Sequence, residues 1–277
     1  MIRIFGADRP IQTADVAALK PLSPVEAHIL ERMTHSQEIV IYNHMDELVF
    51  ELLLRNAIVS ASHELNRSGA AFTVFADSRC NPVYWTRTPN GGFQLNPGAS
   101  PSAAIADIFM NGHSYGFECA TAIVIVFYRA CQTVLGDNVF DTLFAGLYLR
   151  DWQHDKDLRL TTRKYMLYLP GDVHYIKNPD HDPSKPEWQG ENIVDLGFDM
   201  YYGHGIGIRG LDEMIEMLNR LRYPGATQSA YLLDQATRPG YRYLSQFYKP
   251  HPDQSTRLQP FIEKYITAKV GQSLSIL

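Results

Sequence analysis

The chain has 277 residues, of which 45% are hydrophobic and 12% aromatic, enough for a sizeable buried core. Its formal net charge is −5, with acidic and basic residues interspersed, whereas a nucleic-acid-binding protein needs a clustered basic face. The composition also excludes disordered and collagen-like chains. No Pro/Gly/Ser-rich linker, repeat period or low-complexity tract divides the sequence. We therefore expect one globular domain, residues 1–277, whose partners are small molecules or proteins.

The N-terminal residues, MIRIFGADRPIQTADV, lack the apolar segment and the small-residue cleavage site of a signal peptide. We therefore expect cytoplasmic synthesis without export by the usual route. The apolar run that follows Cys119 reaches Arg129 after about ten residues, against the roughly 20 that span a bilayer, so it predicts a protein core and no membrane contact. The three cysteines, at positions 80, 119 and 131, form no CxxC pair, which favours free thiols over a disulfide framework.

The first strong element in chain order is a helix within NHMDELVFELLLRNAIVSASHELNRSG. Asp46 can cap its start, Gly69 can close its end, and the following apolar residues recur at helical spacing: Phe50, Leu54, Ile58, Ala61 and Leu65. Two stretches rich in aromatic and β-branched residues, AAFTVFADS and NPVYWTRT, then predict short strands or loops.

The segment after Cys119 has mixed signals. Residues 123–126, IVIV, favour a strand by propensity, whereas the length of the run up to a plausible cap at Gly136 favours a buried helix. We predict a helix.

Strand candidates follow in the second half of the chain. PGDVHYIKNP predicts a turn and a short strand that Pro179 stops, and GENIVDLG predicts another strand. In YYGHGIGI, alternation predicts a single strand with glycines on one face, where another group can approach closely. Its other face would carry Tyr202, His204, Ile206 and Ile208. A helix from about Leu211 to Pro224-Gly225 and a peripheral tail complete the chain.

Cys119 has a physical use at the first turn of a buried helix. Unsatisfied N–H groups and the helix dipole stabilise an anion there and lower the pKa of a thiol, which makes the cysteine a nucleophile. The ordinary alternative is that cysteine packs as a small hydrophobic residue. Cys131 lies inside the apolar run and Cys80 lies in a turn, so we interpret both as ordinary packing residues.

Two residues are candidate proton acceptors for the thiol. General chemistry favours His204, because imidazole accepts protons near neutral pH. Glu191 comes second, because an ordinary carboxylate is mismatched to a thiol by about four pKa units, or roughly 5 to 6 kcal/mol, unless burial raises its pKa. Each of the two residues also has a purely structural interpretation. His204 would be a structural histidine held between glycines, and Glu191 would be a solvated residue at a sheet edge.

Competing motifs are weaker. GIGIRG, residues 205–210, matches a dinucleotide-binding pattern but lies too late in the chain for a doubly wound sheet to follow it. DWQHDKDLRL lacks the glycine and terminal glutamate of a calcium loop. No zinc spacing, phosphate-binding loop or GxSxG motif is present.

Several stretches occur together in one order: ELVFELLLRNAIVSAS, SGAAFTVF, YGFECATAIVIVFY, GDVHYIKNP, EWQGENIVDLG, YGHGIGI and QSAYLLDQATR. In this combination the chain resembles the spore-coat protein-glutamine gamma-glutamyltransferases of Bacillus and its relatives, over residues 45–238 approximately. The resemblance implies an α+β fold with a papain-like, NlpC-like core, in which a buried helix bearing the nucleophile packs on a small, mainly antiparallel sheet surrounded by further helices. The tail, about residues 242–277, receives no function.

The resemblance also implies roles for four residues of the site. Cys119 is the nucleophile, Glu191 pairs with it, Glu118 partly replaces Glu191, and His204 assists. This order reverses the ranking from general chemistry and requires that burial raise the pKa of Glu191.

Three aromatic residues match the walls of the family's substrate tunnel, although each alone would indicate ordinary packing: Phe72, Trp152 and Trp188. The family uses no metal, and we expect no cofactor.

The implied activity is cross-linking of proteins with accessible Gln and Lys side chains through a cysteine thioester, without calcium. By resemblance, the partners are spore coat proteins, the enzyme is made in the mother cell and acts at the spore coat, and it is a monomer. Two alternatives stay open: a cysteine amidase or peptidase on the same core, and a catalytically idle coat protein.

Overall fold

A computed structural model describes residues 1–249 and the backbone of residues 267–270 and 273–276. The N-terminal region forms a small layer whose elements are β1 (Ile2–Ile4), α1 (Thr13–Ala17), α2 (Pro24–His35) and β2 (Val40–Tyr42). β1 and β2 pair in parallel. Ser23 and Glu26 form a capping box at the start of α2. Apolar side chains of this layer pack against Leu48 and Leu52 of the next helix and form a second core cluster.

That next helix, α3 (Met45–Arg67), confirms the first sequence prediction. The apolar residues predicted at helical spacing are all buried: Phe50, Leu54, Ile58, Ala61 and Leu65. Gly69, with a φ of +82°, follows the helix in the left-handed conformation that glycine favours. The predicted cap at Asp46 is wrong, because the N-cap is His44 and Asp46 lies in the first turn.

Short elements connect α3 to the next long helix. They are β3 (Ala71–Phe72), β4 (Trp85–Arg87), β5 (Phe93–Leu95), α4 (Pro101–Met110) and β6 (Gly116–Phe117). The predicted short strands are confirmed as β3 and β4. β3 pairs in parallel with β6, with Phe72 opposite Phe117. This pairing fixes the backbone immediately before Glu118 and Cys119.

The apolar run forms a helix, α5 (Cys119–Leu135), as its length predicts, and Gly136 caps its end with a φ of +81°. Residues 120–128 of α5 are all buried, and the helix packs against α3 in the main core. A long helix wins over local strand propensity because it buries an apolar surface on all sides while satisfying its own backbone hydrogen bonds. α6 (Asp137–Leu143) and β7 (Tyr148–Leu149) follow.

The second half of the chain forms the main sheet. Its elements are β8 (Thr161–Arg163), β9 (Val173–Lys177), β10 (Gly190–Gly197), β11 (Met200–Gly203), β12 (Gly207–Gly210), α7 (Leu211–Asn219), β13 (Tyr231–Leu232), β14 (Ala236–Arg238) and α8 (Tyr241–Ser245). The strand order is β12-β11-β10-β9-β14-β8, with β13 also on β9, and every pairing is antiparallel. The central strand β10 contacts α5 and is buried throughout. The predicted α+β architecture, a nucleophile-bearing helix on a mainly antiparallel sheet, is confirmed.

Two predictions in this half are wrong in detail. YYGHGIGI is not one strand: β11 ends at Gly203, residues 204–206 form a turn, and β12 begins at Gly207. Glycines continue to alternate with larger residues through the turn, because Gly203 and Gly205 flank His204. The sequence pattern therefore does not mark the break between the two strands. The helix α7 ends at Asn219, before the Pro224-Gly225 stop signal.

A buried ion-pair network joins α3 to the sheet. The Asp172 carboxylate accepts from Arg55 Nη1 at 2.8 Å and from Arg238 Nε and Nη2, each at 2.6 Å. The side chains of Arg55 and Asp172 are fully buried. Burial alone would raise the pKa of Asp172, but the two guanidinium groups outweigh it and lower that pKa.

The predicted tail, about residues 242–277, lies mostly outside the described residues. Within it the structure describes the end of α8 and a two-stranded antiparallel hairpin of β15 (Thr267–Val270) and β16 (Ser273–Ile276). The assignment of this segment as a peripheral tail stays a prediction.

Candidate active site

Cys119 is the first residue of α5, and Glu118 is its N-cap. The Glu118 carboxylate accepts from the backbone N–H of Ala120 at 2.6 Å and of Thr121 at 2.7 Å. The Thr121 hydroxyl also donates to this carboxylate. Glu118 therefore occupies the donors that the start of a helix would otherwise offer to an anion.

Cys119 is half-buried, and its thiol lies close to two carboxylates. Burial and the charges of Glu191 and Glu118 raise its pKa well above the usual value. The expectation that the helix start lowers this pKa is wrong, because burial of the thiol and the two nearby carboxylates outweigh the effect of the helix terminus. Hydrogen bonds from Asn192 oppose the increase: its side-chain Nδ2 lies 3.4 Å from Cys119 Sγ, and its backbone also contributes.

Glu191 lies on β10 and is fully buried. Its Oε1 accepts from the N–H of Gly205 at 3.4 Å, while its Oε2 has no hydrogen-bond partner among the described residues. Burial raises the pKa of Glu191 to about 8; the backbone of Gly205 opposes the increase and the charge of Glu118 adds to it. Gly203 packs closely on this side chain: a Cβ at that position would lie 3.0 Å from Oε1 and would press on the carboxyl group. Glu191 is thus a carboxyl group that can exchange protons near neutral pH.

His204 lies in the turn between β11 and β12. Its Nε2 is 3.3 Å from the carbonyl oxygen of Ala71, which can only accept, so Nε2 carries the proton. Nδ1 then accepts from the Tyr202 hydroxyl at 2.9 Å. The ring stacks on Phe117 at a centroid distance of 4.7 Å, and burial lowers its pKa to about 4. The imidazole is neutral and both its nitrogens are engaged away from Cys119 Sγ.

Cys119 opens into a cleft of about 530 Å³. Phe72, Phe75, Trp152 and Tyr175 supply aromatic walls, and the carboxylate residues Glu118, Asp151 and Glu187 lie along it. Trp188 packs on Phe72 at a centroid distance of 5.0 Å. The three aromatic residues singled out from the sequence therefore lie at or beside this cleft.

A second cleft of about 190 Å³ lies against the first. Trp152, Tyr175 and Asn192 line both clefts and so form a shared partition next to the sulfur. The remainder of the second cleft is lined by uncharged hydroxyl and amide groups, an imidazole and apolar residues: Thr162, Val173, His174, Gln235, Ala236 and Thr237. Cys119 itself lines the larger cleft.

Sequence reasoning missed Asn192 and Tyr175. Both lie in stretches that carry the family resemblance, EWQGENIVDLG and GDVHYIKNP, but neither residue type points to a thiol by itself. The antiparallel register of β9 and β10 places them opposite each other. The pairing of these two strands is the signal that could have found them.

Thr121 joins the helix start to the wall of the clefts. Its hydroxyl donates to Glu118 and accepts from the backbone N–H of Asp151 at 2.8 Å. Asp151 has a left-handed backbone, with a φ of 53°, and precedes Trp152. Thr121 therefore holds the Trp152 wall in register with the nucleophile.

Thr121→Val should loosen this wall. Loss of both hydroxyl contacts should lower the free energy of unfolding by about 1 to 2 kcal/mol and raise the KM for a glutamine substrate several-fold. Denaturant unfolding and steady-state kinetics measure the two effects. Thr133→Val is the matched control, because Thr133 is an exposed threonine on the same helix whose hydroxyl bonds only to the carbonyl of Arg129. Equal KM values for both variants would contradict the positioning role.

The part of the chain that the structure describes contains no group of three or more His, Cys, Asp and Glu residues suited to a metal ion. Within that part, no helix is both long and apolar enough to cross a bilayer.

Known proteins match this chain over most of its length. The family model described as "Protein-glutamine gamma-glutamyltransferase" matches residues 1–248. The chain belongs to this family. The match includes the N-terminal layer, so the family relationship extends beyond the segment from which the resemblance was first inferred.

Individual relatives agree. The protein-glutamine gamma-glutamyltransferases of Bacillus mycoides (strain KBAB4) and Bacillus cereus (strain B4264) are each 43% identical over 258 residues, covering 93% of this chain and 94% of theirs. A solved structure, "Transglutaminase from Geobacillus stearothermophilus (without C-terminal extension)", has 51% sequence identity and a TM-score of 0.72, covering 75% of this chain and 100% of that chain. The chain is therefore an acyltransferase of the protein-glutamine gamma-glutamyltransferase type.

Proposed function

We propose that this enzyme forms ε-(γ-glutamyl)lysine cross-links between proteins through a thioester on Cys119, with release of ammonia. The observation that carries the mechanism is the buried Glu191 carboxyl group, whose pKa is raised to about 8 beside a thiol whose pKa is also raised. Burial makes the Glu191 carboxylate a stronger base than a solvated glutamate, so it can compete for the thiol proton. The ionised form of Glu191 that accepts this proton becomes well populated at mildly alkaline pH.

The first half-reaction acylates the enzyme. Glu191 takes the proton of the Cys119 thiol while the sulfur attacks the γ-carboxamide carbon of a glutamine side chain. The carbonyl π-electron pair moves to the oxygen. On collapse, the C–N bond breaks, the proton returns to the leaving nitrogen, and ammonia departs, leaving a thioester.

The second half-reaction transfers the acyl group to a lysine. The incoming ammonium must lose a proton before attack, since lysine in water has a pKa of about 10.4. Glu191 accepts this proton and releases it to solvent. The amine nitrogen then bonds to the thioester carbon, the C–S bond breaks, and the proton that the nitrogen loses passes through Glu191 to the departing sulfur. The carboxylate residues Glu118, Asp151 and Glu187 along the larger cleft favour a cationic side chain, and the aromatic walls cover its aliphatic stem. These walls also limit the access of water, which competes for the thioester.

Two further residues have indirect roles in this proposal. Glu118 caps the helix and partly substitutes for Glu191 when that carboxyl is absent. His204, neutral and bonded to Tyr202 and Ala71, assists by holding the turn that surrounds Glu191.

We further propose that the substrates are spore coat proteins, that the enzyme is made in the mother cell, and that it acts as a monomer without calcium. The Bacillus relatives support an origin in spore-forming bacteria.

Incubation with β-casein and a fluorescent primary amine, with ammonia measured alongside, tests the function. We expect amine incorporation together with ammonia release, unchanged when calcium is chelated. Ammonia without incorporation would instead show an amidase or peptidase, and the absence of both products would show an idle coat protein. Size-exclusion chromatography with light scattering checks the monomer.

A further inference from the structure

Asn192 is the described side chain that donates a hydrogen bond to the reactive sulfur, with Nδ2 at 3.4 Å from Cys119 Sγ. It is 6% exposed and lies on the central strand β10, directly after Glu191. It also lines both clefts at their shared partition. Its carboxamide is therefore buried beside the atom that must become charged.

The other groups at the helix start cannot supply this donor. The N–H groups of Ala120 and Thr121 are taken by the Glu118 side chain, and that of Ala122 by the Glu118 carbonyl. Two carboxyl groups, Glu118 and Glu191, lie near enough to oppose negative charge on the sulfur. A neutral dipole that points its N–H at the sulfur is the kind of group that offsets such an environment without adding a permanent charge.

We propose that Asn192 is a catalytic residue whose side-chain N–H stabilises the Cys119 thiolate as the thiol proton passes to Glu191. The step is balanced: the S–H bond breaks, the electron pair stays on sulfur, and the proton moves to the Glu191 carboxylate. The proposal rests on the proposed function for its place in the reaction, but the hydrogen bond acts on the free enzyme as well. Removing the donor should therefore change the reactivity of the thiol even without a substrate.

Alkylation of Cys119 by iodoacetamide tests this directly. Rates are measured from pH 6 to 10 by mass spectrometry of the Cys119 peptide, which separates it from Cys80 and Cys131. Asn192→Leu removes the donor and keeps the branching of the side chain, and Asn192→Asp replaces the donor with a negative charge. At pH 8 we expect alkylation at least about tenfold slower in both variants, because one pKa unit corresponds to a tenfold change in thiolate. The profile of Asn192→Asp should move furthest to alkaline pH.

Asn138→Asp is the matched control, because it makes the same change at an exposed position of α6 and should react like the wild type. If Asn192→Leu fails to fold, the isosteric Asn192→Asp variant carries the test, with folding checked by circular dichroism. Alkylation of Cys119 within twofold of the wild type across the pH range, in a folded Asn192 variant, would overturn the proposal.

Kinetics add a second readout that a purely structural role would not produce. Loss of one donor to the reacting atoms should lower kcat by about 10²-fold, with KM for the amine changed by less than twofold. A rise in KM with kcat unchanged would contradict the assignment. Alkylation needs no substrate, so it tests the role of Asn192 independently of the cross-linking reaction. If the wild type incorporates no amine, the proposed function is wrong, but the alkylation result still decides whether Asn192 stabilises the thiolate.

Discussion

Glu191→Gln is expected to lose amine incorporation by about 10² to 10⁴-fold and yet to be more resistant to unfolding than the wild type at pH 9. Glutamine keeps the shape and can still accept from the N–H of Gly205, but it cannot take the thiol proton. Activity is lost because the proton acceptor is lost. Stability is gained because a carboxylate no longer has to be charged inside the protein.

The sign of the stability effect follows from the raised pKa. Glu191 titrates near 4.5 in the unfolded chain and at about 8 in the folded one. Between these values the folded state binds more protons, so the wild type loses stability as pH rises, by up to about 1.4 kcal/mol per pH unit. Glutamine has no such dependence.

Melting temperatures of both proteins at pH 5 and pH 9 measure the effect. Glu191→Gln should melt at a higher temperature than the wild type at pH 9 but not at pH 5. Glu213→Gln, at an exposed position on α7, is the matched control and should leave both activity and melting temperature unchanged. Parallel pH curves for the wild type and Glu191→Gln would show that Glu191 does not have the raised pKa on which the mechanism depends.

Asp172→Asn is expected to destabilise the fold by about 3 to 5 kcal/mol, because removal of one charge leaves buried partners uncompensated. Arg55 is fully buried, and both Arg55 and Arg238 direct guanidinium groups at Asp172. The carboxamide introduced by this substitution would also direct its own N–H group at a guanidinium N–H, so two hydrogen-bond donors would face each other. Urea unfolding monitored by circular dichroism gives the free energy of unfolding.

Asp234→Asn is the control for this measurement. Asp234 pairs with Lys164 at the surface, where both side chains are mostly exposed, so its removal should have little effect. A loss below about 1 kcal/mol for Asp172→Asn would mean that the network is not a main link between α3 and the sheet.

The elements with local signals could be predicted from the sequence. α3 has a regular apolar stripe and a closing glycine, and α5 has a long apolar run and a glycine cap. Each of these features is determined within a few turns of helix, so no knowledge of the rest of the chain is needed.

The turn at His204 could not be predicted in the same way. Its alternating residues fit either one strand or two, and only the pairing of β11 with β12 decides between them. The prediction for the pKa of Cys119 is also wrong, because the sequence shows a helix start but neither the burial of the thiol nor the approach of Glu191 and Glu118 to it. The contact of Asn192 with Cys119 joins residues that are 73 positions apart.

The geometry has a consequence for the resting enzyme. With the pKa values of Cys119 and Glu191 both raised by burial, the pair is mainly uncharged at neutral pH. A protonated thiol resists oxidation and alkylation better than a thiolate. A protonated Glu191 cannot accept the thiol proton, so the form that reacts is the one with Glu191 ionised, and its share rises as the pH approaches about 8.

Mass spectrometry of the acyl-enzyme tests the central claim most directly. The enzyme is mixed with a glutamine peptide in the absence of amine, and the adduct is mapped at low pH, with Cys119→Ala and Cys80→Ala compared. We predict an adduct equal to the peptide less ammonia on Cys119, present in Cys80→Ala, absent in Cys119→Ala, and discharged when a primary amine is added. An adduct on another residue, or amine incorporation that persists in Cys119→Ala, would contradict it.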